Sequence, residues 1–508
     1  MAATVGSALH WWARTKGDQP AIVLGSGQLS YRQLHDWSGR LARQLAGDGV
    51  KPGDRVGLLA PNALQWPVAA LAIMKAGAVL VPVNARLKPG EIRKIADDAG
   101  LSLLIAAPSH TTIAHEARQA GREFAVLSFD SVDAQRTGDP DDFRVDRAAE
   151  EPIAVIFTSG STGLSKGVIL TSNTLLAIVL ENTLTEEGFR PGTVTLLVLP
   201  LAFTPGLVYG LLITAVLGGT LVVEPELNPS RAVNLIQQHS VRAIFGVPLI
   251  FESISRADEF EDADLSSLQT AIVGGAAVPT DLLKRWADKG VLLRQIYGMT
   301  EAGGVATATQ KTDALAHPDS CGIGSIFTEV AVMGDDGSQV PPGQHGEIVV
   351  RGPGVTPGYW DDPQSTASAI RDGWLHSGDV GTRDAQGRVT FVDRIKDLII
   401  SGGINISPVE LEAAIASLDG VAEVAVIAAA DPRFGETPAA IITVSPEAKG
   451  LDEAAVIAHC EQLLADYKVP RYVVLRSEPL PRQPSGKIAK RAVREEYHDI
   501  GQRFTRAR

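Results

Sequence analysis

Ile153-Ala154-Val155-Ile156-Phe157-Thr158-Ser159-Gly160-Ser161-Thr162-Gly163-Leu164-Ser165-Lys166-Gly167-Val168-Ile169-Leu170-Thr171 sets two apolar, β-like runs around a polar loop. The spacing predicts a hairpin, with a buried strand over 153–157 and a returning strand over 168–171. Its loop gathers the hydroxyls of Ser159, Ser161 and Thr162, the glycines Gly160, Gly163 and Gly167, and Lys166. Glycines let backbone N–H groups approach an anion, hydroxyls add donors and a lysine adds a point charge, which together suit a polyphosphate. A flexible Ser/Gly turn without a ligand is the plain alternative, because short motifs often match by chance. An ordinary P-loop is excluded: Ser165 precedes Lys166, Gly167 follows it, and the next residues, Val168 and Ile169, are β-branched.

Outward from this loop the pattern is α/β. Toward the N-terminus a helix-like opening is followed by an amphipathic helix over about 32–46, a strand over 56–60, a helix to about 76 and a strand over 78–83; a further helix starts at Pro89 and a strand covers 102–106. Beyond the loop, strand-like 193–200, helical 206–217, strand-like 220–223 and helical 231–239 lead to buried strands at 243–247 and 270–273. Such alternation predicts α/β layers with a largely parallel sheet. The last strand ends in Gly274-Gly275-Ala276-Ala277, and small residues at a strand's carboxyl end are where such a sheet opens to a ligand. From about 322 short strands and Gly/Pro turns predict a β-rich subdomain reaching 393. A boundary is expected at 394–397, so the domains are 1–393 and a smaller α+β domain, 398–508.

Composition narrows the function classes. A chain of 508 residues exceeds one ordinary core. Its 45% apolar and 21% charged residues are those of a soluble globular protein, and its formal net charge of −13 argues against general nucleic-acid binding. An anionic substrate must therefore meet local positive charge. Cys321 and Cys460 lie far apart with no CxxC, so neither a disulfide framework nor a zinc site is expected and a reducing cytoplasm is the default. The N-terminus lacks the basic start and apolar stretch of a signal peptide. The longest apolar run, Trp66 to Val83, is interrupted by Pro67, Lys75, Gly77 and Pro82, and reads as a buried helix and strand, not a membrane span.

Other landmarks follow in order: Tyr297-Gly298-Met299-Thr300-Glu301, His376-Ser377-Gly378-Asp379, Val392-Asp393-Arg394-Ile395-Lys396-Asp397, Ser401-Gly402-Gly403-Ile404-Asn405 and Pro484-Ser485-Gly486-Lys487. With Thr158 to Gly167 they resemble the adenylate-forming superfamily of acyl-CoA synthetases, adenylation domains and luciferase, in its acid–CoA ligase branch. The resemblance runs from about residue 8 to 495. It implies a large N-terminal domain and a small mobile C-terminal domain with ATP at their interface. It also implies a first half-reaction in which a carboxylate oxygen attacks the α-phosphorus of ATP, giving acyl-AMP and pyrophosphate. Two anions must meet there, so neutralising and orienting charge is the main requirement.

By the same resemblance Thr158, Ser159, Gly160, Ser161, Thr162, Gly163 and Lys166 hold the β- and γ-phosphates, and Thr300 contacts the α-phosphate. Glu301 with Thr158 would hold Mg²⁺, a hard cation that prefers oxygen ligands. Tyr297, in the run with Gly298 and Met299, would stack on adenine against Gly275, Ala276 and Ala277. Asp379 would accept the ribose hydroxyls, Arg394 would add a contact, and Lys487 would bridge the carboxylate and α-phosphate. Taken singly, Asp379 reads equally well as a turn residue and Glu301 as a first-turn acid. Lys487 sits in a basic tail, with eleven Lys/Arg against four Asp/Glu from Lys468 to Arg508, where a solvated basic face is the plain alternative. That patch could also steer CoA phosphates. His376 receives no catalytic role.

For the second half-reaction the resemblance makes Lys396 the hinge, brings Gly402 and Gly403 to a pantetheine tunnel, and gives Tyr467, Lys468 and Arg471 to the CoA nucleotide. No carrier domain follows Lys487, so CoA is the favoured acceptor, with loading of a separate carrier protein as the alternative. A catalytically silent nucleotide-binding protein is disfavoured by the presence of Lys166, Glu301, Asp379, Arg394 and Lys487. The acyl pocket is expected to involve Phe203, Pro205, Phe245, Val247, Gly274 and Ile296. Phe203 stands where many relatives carry histidine, so that histidine's orienting role does not carry over. Ile296, where fatty-acyl and coumaroyl relatives have glycine, should shorten the channel. None of these residues is Arg or Lys, and a dicarboxylate would leave a buried charge unpaired. An apolar monocarboxylate is expected, aryl, alicyclic or medium-chain, with a long-chain fatty acid as the alternative. Assembly is not legible, and a homodimer stays open.

Overall fold

The computed structural model describes residues 3–119, 123–158, 166–395, 397–401, 404–448, 450–464, 466–483 and 486–507. Two compact units make up the chain. The first comprises Met1–Ala331, Val349–His376 and Gly387–Val389; the second comprises Val332–Ile348, Ser377–Gln386 and Thr390–Arg508. The expected hinge at 394–397 falls within the second unit, and Lys396 lies outside the described residues.

The hairpin is present. Pro152–Thr158 and Lys166–Thr171 pair antiparallel with Thr158 opposite Lys166. They form one edge of a six-stranded sheet in the order Ala125–Ser128, Leu101–Ala106, Arg55–Leu59, Val79–Val83, Pro152–Thr158, Lys166–Thr171. Its other pairings are parallel, as the βαβ alternation requires. The hairpin runs directly into a helix, because Thr171 caps Ser172–Thr185 by accepting from Thr174 N at 3.1 Å.

A second sheet of eight strands runs Thr307–Ala308, Leu293–Tyr297, Thr270–Gly274, Ala243–Gly246, Val194–Leu197, Thr220–Val223, Pro20–Leu24, Gly27–Ser30. Its inner pairings are parallel and both edge pairs antiparallel, so the prediction of largely parallel α/β layers holds. The helix Tyr31–Gly47 starts at a Ser30–Gln33 capping box and buries Leu34, Trp37, Leu41 and Leu45, three to four residues apart. Full burial of such side chains contributes about 1.5–3 kcal/mol each.

The segment 206–217 departs from expectation in kind. Pro205–Leu212 is a π-helix that passes into the α-helix Ile213–Val216. π-Turns often mark functional stretches. Trp66 to Val83 folds as the helix Gln65–Lys75 and the strand Val79–Val83. Lys75, which seemed to interrupt the apolar run, is itself buried, donating to His35 O at 2.7 Å and lying 2.9 Å from His35 Nδ1. Burial holds the pKa values of both side chains below their ordinary ranges.

A five-stranded sheet follows, in the order Glu329–Met333, Gly346–Arg351, Trp374–Arg383, Ile370–Arg371, with Val389–Arg394 on Trp374–Arg383. The last sheet runs Ile404–Ile406, Ile399–Ser401, Gly435–Val444, Val421–Asp431, with Tyr472–Arg476 parallel to Gly435–Val444. Helices Pro408–Ala416 and Glu453–Leu463 cover one face, around Ile399, Leu411, Val426 and Cys460.

Candidate active site

In the first unit the site grows from the outer edge of the hairpin. Gly167 lets that edge be covered, since a Cβ there would lie 2.6 Å from Val155 Cγ1 and 3.2 Å from Trp360 Cβ. Trp360 N donates to Gly167 O at 2.7 Å, Ile169 N to Gly358 O at 3.2 Å, and Val168 bridges Tyr359. The edge that would otherwise template aggregation is thereby paired. This pairing sets Tyr359 under Lys166, with Nζ 4.9 Å from the ring centroid, a cation–π distance. The Tyr359 hydroxyl donates to Glu301 Oε1 at 2.9 Å. Burial and then the Glu301 charge push that hydroxyl's pKa up, so it remains a donor.

Glu301 is 8% exposed and has no ion-pair partner among the described residues. Its backbone carbonyl accepts from Thr356 N at 2.8 Å, while Thr356 Oγ1 donates to Ile169 O at 2.8 Å. The Thr300 and Thr204 hydroxyls share a 2.9 Å hydrogen bond, which ties the turn after Leu293–Tyr297 to the segment carrying Phe203 and Pro205. Gly298 is obligatory in this turn, because a Cβ there would lie 1.9 Å from Gly304 O. The Tyr209 hydroxyl donates to Gly303 O at 3.2 Å, and its ring packs 5.2 Å from Phe245, which stacks 5.5 Å from Phe189.

Gly275, Ala276 and Ala277 form an exposed ledge after Thr270–Gly274, and Gly298 is exposed beyond the next strand. Gly274 and Ile296 are register partners, and a Cβ on Gly274 would lie 2.3 Å from Ile296 Cγ1. Ile296 therefore occupies the space a side chain at 274 would need. Phe245 packs with the cluster that Ile296 also touches. Val247 packs with a different cluster, since the strand stops at Gly246 and Pro248 starts a helix.

In the second unit the left-handed Gly378 (φ 72°) turns the chain so that Asp379 N donates to Ser377 Oγ at 3.1 Å. Asp379 is 6% exposed, and its Oδ1 lies 3.4 Å from Arg394 Nε. The buried Asp393 is structural: it accepts from Arg394 N, Ser407 Oγ and Val409 N at 2.7–3.1 Å. Arg494 donates to Asp397 Oδ1 at 2.8 and 2.9 Å. His376 Nδ1 lies 2.7 Å from Arg371 Nη2, on the first unit.

The basic tail is almost wholly neutralised. Lys468 pairs with Glu410, Arg471 and Arg506 with Asp431, Arg476 with Glu496 and Arg482 with Glu423. Lys490, Arg491, Arg494 and Arg503 pair with Glu412, Glu495, Asp397 and Asp499. Lys487 is the one tail cation among the described residues without an ion pair. Much of its surface is open, yet enough protein surrounds its ammonium for desolvation to lower its pKa. Arg394 lowers it further, and Asp379 partly offsets this.

Residues 9–360 match the AMP-binding enzyme family, and residues 410–487 match the AMP-binding enzyme C-terminal domain. The chain is an AMP-binding enzyme. It is 39% identical over 488 residues to a feruloyl-CoA synthase from Amycolatopsis sp, covering 96% of this chain and 97% of that protein. It is 36% identical over 527 residues to 3-[(3aS,4S,7aS)-7a-methyl-1,5-dioxo-octahydro-1H-inden-4-yl]propanoyl:CoA ligase from Rhodococcus jostii, covering 97% and 98%. The crystal structure of ATP-bound MatB from Rhodopseudomonas palustris superposes with a TM-score of 0.87 at 30% identity, covering 98% of this chain and all of that one. The expected α/β architecture, with a large N-terminal and a small C-terminal domain, is that of adenylate-forming enzymes.

In this AMP-binding enzyme the first unit brings together Thr158, Lys166, Thr300 and Glu301 with their supports, and the second gathers Asp379, Arg394 and Lys487. Ser159, Gly160, Ser161, Thr162 and Gly163, and the tunnel glycines Gly402 and Gly403, lie outside the described residues. Of the residues expected at the CoA nucleotide, Lys468 pairs with Glu410 and Arg471 with Asp431. Sequence reasoning missed Tyr359, although the aromatic pair Tyr359-Trp360 after Pro357-Gly358 was a usable signal. It also missed Tyr209, whose isolated position carried none.

Proposed function

We propose that this AMP-binding enzyme is an ATP-dependent carboxylic acid–CoA ligase. In the first half-reaction a carboxylate oxygen attacks the α-phosphorus and the bond to pyrophosphate breaks. In the second the CoA thiol attacks the acyl carbon of acyl-AMP and AMP leaves. The observation that carries the reading is Lys487, unpaired in a tail whose other described cations have partners.

Lys166 and the hairpin loop grip the β- and γ-phosphates, Thr300 meets the α-phosphate, and Tyr297 stacks on adenine beside the 275–277 ledge. Asp379 and Arg394 take the ribose, and Lys487 neutralises the carboxylate and α-phosphate as they meet. Magnesium would be held by Glu301 and Thr158: a buried carboxylate without a protein cation, plus a hydroxyl, suits a hard ion that also takes phosphate and water oxygens. When bound, it supplies charge neutralisation on the departing phosphates. For the second half-reaction the domains divide at 394–397 and the C-terminal one turns about Lys396, withdrawing Lys487. Lys166→Ala lowers pyrophosphate formation by about 10²-fold and leaves thioester formation from preformed acyl-AMP within a few-fold. The reverse pattern removes the loop from phosphate binding.

The acid is an apolar monocarboxylate, aryl, alicyclic or medium-chain. Support comes from Ile296 filling the space at Gly274, from the Tyr209–Phe245–Phe189 stack, and from the ring-bearing acyl groups in the names of the two relatives. Ile296→Gly raises the ratio of kcat/KM for acids longer by one or two methylenes by about 10-fold or more. An unchanged ratio overturns the pocket assignment. The deciding assay is pyrophosphate and AMP release across short, medium, long and aromatic acids with and without CoA. AMP release that ignores CoA points instead to a carrier-loading ligase, and preference for long chains to a fatty-acid ligase.

A further inference from the structure

Lys487 is carried on a small turn whose support comes from elsewhere in the second unit. Gln483 N donates to Lys487 O at 2.7 Å, Gly486 N to Gln483 O at 2.8 Å and Ala489 N to Pro481 O at 2.7 Å, while Arg482 bridges Ile488. Gly486 takes a left-handed φ of 86°. The Arg482 fork then straps this turn to the sheet: Nη1 donates to Gly486 O at 2.6 Å, and Nη2 donates to Glu423 Oε1. Glu423 sits where the register of Val421–Asp431 against Gly435–Val444 slips, and its other oxygen accepts from Leu480 N at 2.7 Å. One sheet carboxylate thus anchors both the entry to the turn and, through a rigid guanidinium, the carbonyl just before Lys487.

We propose that Arg482 and Glu423 are positioning residues for Lys487, an inference that rests on reading Lys487 as the adenylation lysine. Two magnitudes favour a positional role over a stabilising one. Arg482 is about two-fifths exposed, and ion pairs so open to solvent add little to folding stability. Misplacing a charge by an ångström, by contrast, costs about 10²-fold in rate. Lysine cannot replace the strap, because it lacks the two-pronged geometry that joins carboxylate and carbonyl.

The test compares full-length wild type, Arg482→Ala, Arg482→Lys, Glu423→Gln, Lys487→Ala and the Arg482→Ala/Lys487→Ala double variant. Each is measured in acid-dependent pyrophosphate release, in thioester formation from preformed acyl-AMP with CoA, and in thermal midpoint. Arg482→Ala and Glu423→Gln are expected to lower adenylation kcat about 10- to 100-fold with thioester formation within about 3-fold. Arg482→Lys recovers only part of this, and the double variant is no slower than Lys487→Ala alone. Equal losses in both half-reactions, or unchanged adenylation in the strap variants while Lys487→Ala is inactive, overturn the strap and leave the Lys487 reading intact. Unchanged adenylation in Lys487→Ala overturns that reading itself.

Discussion

Lys487→Ala is expected to lower acid-dependent pyrophosphate release by at least about 10²–10³-fold while thioester formation from preformed acyl-AMP stays within a few-fold. Adenylation joins two anions, and no other described tail cation is uncommitted. The removed ammonium therefore has no substitute. In the second half-reaction the phosphorus chemistry is complete, so the same charge has no role. A pH profile gives an independent reading. Desolvation and Arg394 lower the Lys487 pKa below the ordinary lysine value. The active form is protonated, so kcat/KM for adenylation is full below that pKa and falls as pH rises through it. The alkaline limb must accordingly lie below that of an unperturbed lysine. Equal loss of both half-reactions overturns the division of labour.

Glu301→Gln is expected to cost about 10²–10³-fold in adenylation and to raise the magnesium concentration needed for half-maximal rate. The substitution keeps the shape and an oxygen acceptor for the Tyr359 hydroxyl at 2.9 Å, so the turn stays supported and the loss reports charge. Pyrophosphate release titrated with magnesium is the measurement. A magnesium dependence like that of the wild type removes Glu301 from the metal's donors. Thioester formation from preformed acyl-AMP is the internal control, because it proceeds after pyrophosphate has left.

The two sheets and the hairpin were legible because their strands are short apolar runs separated by amphipathic helices, with Gly and Pro at the turns. The ledge at 275–277 and the turn at 298–301 were legible for a related reason: small residues at the ends of parallel strands leave room for a ligand. Where reading along the chain fell short, long-range pairing was the cause. Tyr359 acquires its role only because Trp360 and Gly358 pair with the outer edge of the hairpin, nearly two hundred residues upstream. The tail looked like a basic face because its acids lie elsewhere in the chain, at Asp397, Glu410, Glu412, Glu423 and Asp431 as well as within it. Val247 reads as part of the same strand as Phe245, but the strand ends at Gly246 and Val247 packs on another cluster.

By itself, the sequence determined the α/β architecture, the order of the motifs and the residue types that could meet a nucleotide, since these follow from local periodicity, glycine and hydroxyl content, and spacing. Tertiary structure alone decided which charges remain available. Ion pairing depends on which elements fold against one another, and it cancels nearly all of the tail's cations while leaving Lys487 unpaired. The same logic holds at the hairpin where the reading began: its strands were plain in the sequence, but the aromatic ring beneath Lys166 and that ring's bond to Glu301 exist only once the edge is paired.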